Sequence, residues 1–386
     1  MTIQQLTDQE FEQAFQLSCY AFHAIDPEAS RPVAELEWKE VTSFGEVSDG
    51  QVLAKLELLP FSVNIYGKAM KMAGVGGVAT YPEQRRKGLI KQLLIHSLKD
   101  MRSKGQLLSY LAPFSVGFYR KYGWEMAFDE VTYTLEKTQL PKPNPLVEGQ
   151  IERVSYSDKR IRTVYENAQS HGKLNREEWW WKSLEYRYRK HNIALYTDQS
   201  GSPLAYMVYQ FKDRQLETEE LLYTEPAGLD ALLAFIGQHD SMIQSAEITV
   251  PASDHLNYVL PDPKTKAEIM PYFMARVVDV QAFLLAFPFL KSEGGNYTIQ
   301  VEDPCAEWNN KTFSLSITNE EISCEVTSDM EAPSMKMSIQ TLSGLMLGYR
   351  RPSLYIKQGL IKGDKQKIEA FVSHIPDEEP ALVDFF

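Results

Sequence analysis

Val78-Ala79-Thr80-Tyr81-Pro82-Glu83-Gln84-Arg85-Arg86-Lys87-Gly88-Leu89-Ile90-Lys91 reads as a strand feeding a basic, glycine-containing turn that opens a helix. A helix start carries about half a unit of positive charge and several unpaired N–H groups, so Arg85, Arg86 and Lys87 are disfavoured there unless an anion joins them. A diphosphate meets the requirement. Its oxygens accept from the backbone N–H groups, the arginines neutralise it, and Gly88 lets the backbone come close. The plain alternative is a solvated basic helix start.

Working outward, Phe11 to about Phe22 forms an amphipathic helix that stops before Asp26-Pro27, and Val52–Leu58, Phe61–Tyr66 and Met70–Thr80 alternate as three strands of a meander. Downstream, Leu89, Ile90, Leu93, Leu94, Ser97, Leu98 and Met101 recur at helical spacing. A strand follows at Leu107–Ala112, then a short segment Ser115–Tyr122, then a strand at Val131–Leu135. This is an α/β unit. Pro141, Pro143 and Pro145 stiffen the chain and read as a linker, which bounds a first domain at 1–143.

Residues 144–272 repeat the order of elements, with a helix at Ile161–Ala168, strands at Ile193–Tyr196, Leu204–Phe211 and Glu220–Tyr223, and a helix at Leu229–Gly237. The turn Thr224-Glu225-Pro226-Ala227-Gly228 contains no cation, so this copy has lost its phosphate site. From Phe273 a different α+β pattern runs to 386: a strand, the helix Gln281–Phe287, the turn Glu293-Gly294-Gly295-Asn296, strands at Tyr297–Val301, Thr312–Ile317 and Ile322–Val326, and helices at Ile339–Leu345 and Lys365–Phe371. The last six residues, Ala381–Phe386, are apolar enough to be buried.

The bulk properties exclude several classes. With 386 residues, 44% hydrophobic and 24% charged, the chain has the composition of a multidomain globular protein, and it has no apolar run near the roughly 20 residues that cross a bilayer. No secretory leader is read at the N-terminus, which points to the cytoplasm. Cys19, Cys305 and Cys324 lack the spacing of a disulfide framework or a zinc site, so no metal is expected. A net charge of −12 disfavours nucleic acid and suits cationic small molecules.

The segment around Arg85 and Gly88 resembles the Arg/Gln-x-x-Gly-x-Gly/Ala cofactor turn of GCN5-related N-acetyltransferases (GNAT). Ile90 replaces the final small residue and matches the Arg-Arg-Lys/Arg-Gly-Leu-Leu/Ile form of the enhanced intracellular survival (Eis) branch, a resemblance that extends over the whole chain. It implies tandem GNAT folds, the second degenerate, followed by a domain similar to sterol carrier proteins, with acetyl-CoA as co-substrate and a homohexamer as the assembly. It further implies that Val78, Ala79 and Thr80 pair with the pantetheine arm as an added strand would. Arg86, Lys87, Gly88, Leu89, Ile90 and Lys91 would line the phosphate turn with Arg85, and Phe114 and Ser115 would flank the thioester.

Acyl transfer to an amine needs a neutral nucleophile, stabilisation of the oxyanion, and a proton for the departing thiolate. Phe118-Tyr119-Arg120-Lys121-Tyr122-Gly123-Trp124 resembles the family segment whose first tyrosine protonates the CoA sulfur, here Tyr119; spacing alone would favour a packing residue there. His23 is the nearest candidate base by element order. In the resembling family the base is instead the carboxylate of a C-terminal Phe, and this chain ends in Phe386, acting directly or through water. Phe22, Asp26 and Trp38 fall where the family builds its acceptor pocket; Asp26 is either an ammonium ligand or a turn residue before Pro27. Trp179-Trp180-Trp181 reads as packing between domains. The resulting expectation is an N-acetyltransferase acting on an aminoglycoside-like or polyamine-like amine or on a lysine, without a covalent acyl-enzyme. The competing class is an acyl-CoA sensor or lipid-binding protein.

Overall fold

The computed structural model describes residues 3–142, 148–290, 294–327 and 332–386. Pro143, Pro145 and Glu293, to which the sequence assigned a linker and a turn, lie outside the described residues.

The first unit runs β1 (Ile3–Gln5), α1 (Phe11–Ala21), α2 (Pro27–Trp38), β2 (Thr42–Ser48), β3 (Gln51–Ile65), β4 (Lys68–Thr80), α3 (Leu89–Ser103), β5 (Leu108–Leu111), α4 (Val116–Arg120) and β6 (Glu125–Glu136). Two of the strands expected from the sequence are one: β3 passes through Pro60 without a break. On its outer flank the β2 ladder ends at Leu58 and the next partner begins at Ser62, so Pro60 sits in a gap where a missing N–H breaks no ladder. The second unit runs β7 (Gln150–Arg153), α5 (Lys159–Asn167), β8 (Leu174–Asn175), α6 (Glu178–Arg187), β9 (Asn192–Thr197), β10 (Pro203–Lys212), β11 (Gln215–Tyr223), α7 (Pro226–Gly237), β12 (Ser245–Pro251) and β13 (Lys266–Val277).

These strands make one sheet of 13, in the order β1-β2-β3-β4-β5-β13-β6-β12-β11-β10-β9-β7, with β8 added to β3. Each unit lends its last strand to the other. β6 pairs antiparallel with β12, and β13 pairs antiparallel with β5, so two similar halves are stitched at the centre by exchange. The strand that the sequence placed at the head of the third unit, from Phe273, is the inner half of β13. Apart from Arg276 it is apolar without alternation, because it is buried on both faces.

The third unit contains α8 (Val280–Ala286), β14 (Gly295–Glu302), β15 (Thr312–Ile317), β16 (Ile322–Thr327), β17 (Met335–Ser338), α9 (Ile339–Met346), α10 (Pro352–Lys357), β18 (Lys362–Gly363) and α11 (Lys365–Val372). Its five-stranded sheet has the order β16-β15-β14-β17-β18, and α9 packs on β13 and β6. The buried guanidinium of Arg276, on β13, pairs with Asp303 and donates to the Tyr122 carbonyl, which ties this unit to the first. After α11 the chain has no further helix or strand and returns to the large sheet. There Ala381 N–H donates to the His171 carbonyl at 2.8 Å.

Candidate active site

The site begins where β4 loses a neighbour. β4 pairs with β3 from Lys68 to Thr80, but with parallel β5 only from Met72 to Gly74. Beyond Gly74 the two strands part, and the edge of β4 from Val75 to Thr80 has no ladder on that side. A bulge reinforces the divergence: β4 carries Gly77 and Val78 where β3 carries only Leu56 between Lys55 and Glu57. Gly77 sits there at φ 55°, and a Cβ on it would lie 2.8 Å from the Glu57 carboxyl and 2.9 Å from Lys55 Nζ. Only glycine fits. The Lys55 ammonium, fully buried beneath the bulge, is paired with Glu57.

A groove of about 730 Å³ follows the freed edge. Val78, Ala79 and Thr80 form one wall, Phe114, Phe118 and Tyr122 the other, and the basic turn closes one end. In that turn Arg86 and Gly88 both take left-handed backbone, at φ 64° and 81°. Gly88 is the N-cap of α3 and supplies no side chain to its first N–H groups, while the space where its Cβ would stand is open to 4 Å. Arg85 and Arg86 are exposed and make no ion pair among the described residues. An uncapped helix start with unpaired arginines and a groove leading from it is the arrangement a diphosphate with a narrow tail requires.

Lys87 points elsewhere, donating to Gln84 Oε1 at 2.7 Å and lining a separate hollow beside Glu46 to Asp49. Ser115 is the N-cap of α4 and is outside the groove lining, whereas Leu89, Ile90 and Lys91 lie within it. Tyr119 lies behind the wall. Its ring is buried, 5.4 Å from Phe114, 5.2 Å from Phe118 and 6.5 Å from Trp124, and burial pushes its phenol far above the usual value, so it holds its proton.

Phe386 reaches this place from the far end of the chain. Its ring packs on Phe61 and Phe273, each at 4.9 Å, and on Trp180 at 6.3 Å, and it fills the space that a Cβ on Gly74 would need. Its carboxyl carbon lies 3.9 Å from the position of a Cβ on Gly76, where β4 has just left β5.

A second cavity of about 230 Å³ opens between α1 and α2, lined by Phe11, Phe15, Phe22 and Trp38 and by the carboxylates Glu37 and Glu57. Phe22 also lines the groove, so the two spaces meet at its ring. Trp38 Nε1 donates to Asp8 at 3.1 Å. Asp26 is not brought together with them: it is the N-cap of α2, accepting from Ala29 N–H at 3.0 Å, and lies outside the cavity lining. His23 is exposed and outside both linings. The sequence missed Phe118, Tyr122, Glu37 and Glu57. Phe118 and Tyr122 were legible as an aromatic pair four residues apart, with rings 5.2 Å apart; Glu57 was not, because nothing local marks the bulge opposite it.

Comparison with known proteins decides the family. Residues 2–127 match the acetyltransferase (GNAT) domain, residues 172–277 a second acetyltransferase (GNAT) domain, and residues 280–383 the sterol carrier protein domain. A conserved protein of Enterococcus faecalis V583, described as a probable N-acyltransferase, is 31% identical, with 100% of this chain and 99% of that one covered and a TM-score of 0.93. The chain belongs to the GNAT acetyltransferases. It is an acyl-CoA-dependent N-acetyltransferase with tandem GNAT folds and a sterol-carrier-like third unit. The same fold over the whole chain occurs in a GCN5-related N-acetyltransferase from Anabaena variabilis (19% identity, 100% of both chains covered, TM-score 0.89) and in Eis1 from Mycobacterium abscessus (19%, 100% of both chains, 0.83). A search of curated proteins found no match. GNAT domains use acetyl-CoA. No group of three or more His, Cys, Asp or Glu placed to hold a metal occurs among the described residues, and none of their helices is long and apolar enough to cross a membrane.

Proposed function

We propose that the chain moves an acetyl group from acetyl-CoA to a primary amine of a cationic small molecule, aminoglycoside-like or polyamine-like, or to a lysine, by direct attack in a ternary complex. The observation that supports this most is the carboxyl group of Phe386 lying beside Gly76, where β4 parts from β5 and two residues before Val78, the first residue of β4 to line the groove. In this reading the diphosphate rests on the N–H groups from Arg86 to Ile90 with Arg85 and Arg86 beside it. The pantetheine arm pairs with Val78 to Thr80 in the manner of an added strand. The thioester then stands between Gly76 and the wall formed by Phe114, with Tyr119 behind it.

The Phe386 carboxylate accepts the proton of the ammonium, directly or through one water. Its ordinary pKa of about 3.5 makes it a weak base in water, and the rings of Phe61, Trp180 and Phe273, packed on the Phe386 side chain, hold it in place. The amine nitrogen bonds to the acetyl carbon, the C–S bond breaks, Tyr119 gives its proton to the departing sulfur, and the second nitrogen proton, lost as the amide forms, returns through solvent to the phenolate. The aromatic cavity between α1 and α2, with Glu37 and Glu57 at its walls, receives the body of the acceptor. Release of free thiol from acetyl-CoA in the presence of polyamines and aminoglycosides tests the reading; CoA binding without thiol release from any amine would refute it.

A further inference from the structure

The second unit has a cleft in the place where the first has its groove. β11 pairs with parallel β12 only from Gln215 to Glu217, then diverges, as β4 does from β5. Leu221, Leu222 and Tyr223 end β11 as Val78, Ala79 and Thr80 end β4, and both triplets line the resulting hollow. In the second unit that hollow measures only about 180 Å³ and is lined in part by Ala381 and Val383 of the C-terminal tail.

Asp384, the next residue, is 1% exposed and enters the heart of this unit. Its carboxylate accepts from Arg176 Nε at 2.8 Å, Trp180 Nε1 at 2.7 Å and the Tyr165 hydroxyl at 2.9 Å. Arg176 also pairs with Glu220 of β11 and donates to the Tyr156 hydroxyl at 2.8 Å. The tail's backbone is held as well: the Tyr272 hydroxyl donates to the Asp384 carbonyl at 3.1 Å and Arg187 to the Phe385 carbonyl at 2.9 Å. A carboxylate that exchanges water for three donors, one of them a buried guanidinium, is expensive to misplace, which makes Asp384 a register mark two residues before Phe386.

We propose that the vestigial cleft of the second unit is a latch for the C-terminal tail, with Asp384 and Arg176 as positioning residues that fix the Phe386 carboxylate at Gly76. The fold then uses its second active-site cleft to seat the residue that completes the first. This rests on the reading of the Phe386 carboxylate as the base.

The full-length variant Asp384→Asn tests it, compared with Asp384→Glu and with the chain lacking Phe386. Asp384→Asn should lower kcat at least tenfold while the KM for acetyl-CoA stays within twofold, and hydrogen exchange should speed at least tenfold in residues 381–386 but not in the turn 85–91. Asp384→Glu, which keeps the charge, should recover part of kcat. An Asp384→Asn enzyme with kcat within twofold of wild type overturns the latch, as does exchange in the tail that is unchanged. If Asp384→Asn unfolds the protein, the milder Arg176→Lys is measured in its place, and the same two outcomes decide. Normal turnover after removal of Phe386 would instead overturn the base assignment.

Discussion

Replacing Gly74 by alanine puts a methyl carbon where Phe386 already is. The new Cβ would stand 2.5 Å from Phe386 Cε2, 2.9 Å from its Cδ2 and 3.1 Å from Phe61 Cε2. Carbon atoms rest at about 3.5 Å or more, so the terminal ring has to withdraw by about 1 Å. The backbone of β4 at this point is held by ladders to β3 and β5, whereas the segment that carries Phe386 belongs to no strand or helix, so the ring yields and the sheet does not. A displacement of about 1 Å in a group that must meet a reacting nitrogen costs about 100-fold in rate, or about 2.7 kcal/mol of barrier. The assay is thiol release from acetyl-CoA with a saturating amine, beside calorimetry with CoA. Gly74→Ala should lose about two orders of magnitude in kcat and keep its CoA affinity, since the edge beyond Val75 and the turn are untouched. Turnover within twofold of wild type would refute the reasoning, and so would a parallel loss of CoA binding.

Arg85→Ala together with Arg86→Ala should weaken CoA binding at least tenfold by calorimetry, and the deficit should vanish with acetyl-pantetheine, which has no diphosphate. Tyr119→Phe should lower kcat at least tenfold with CoA affinity retained; because burial holds the phenol in its protonated form, the wild-type kcat should show no decline from its ionisation up to about pH 10. His171, stacked on Tyr66 at 3.6 Å, is buried and its imidazole is pushed down from 6.5 to about 4. Between those values the unfolded chain binds a proton that the folded one refuses, so stability is complete above about pH 6.5 and falls as the pH drops toward 4, by about 3 kcal/mol in urea unfolding. His171→Gln should flatten that limb.

Much of this was legible because it is local. The strand, turn and helix from Val78 to Lys91 announce themselves by apolar period, by three cations at a helix start and by Gly88. The turn from Thr224 to Gly228 sets the second copy apart by the same local logic, because it is acidic and holds no cation. What depends on partners far along the chain was hidden. β13 looked like the opening of the third unit because a strand buried on both faces carries no mark of which sheet it enters, and the exchange of β6 and β13 is decided by the way the two halves pack together. Asp26 read equally as an ammonium ligand and as a turn residue before Pro27, and its place in the fold is that of the second, the cap of α2. The bonds of Asp384 span some two hundred positions, to Tyr165, Arg176 and Trp180, and no periodicity reports them. Trp180, read as packing, is both packing and a donor to that carboxylate.

The position of the CoA sulfur in a crystal of the complex tests the account most directly. It should lie between Gly76 and Tyr119, within about 3.5 Å of the phenol oxygen, with the diphosphate on the N–H groups after Arg85 and the pantetheine along Val78 to Thr80. A sulfur directed away from Phe386, or a diphosphate bound anywhere but that turn, would contradict it.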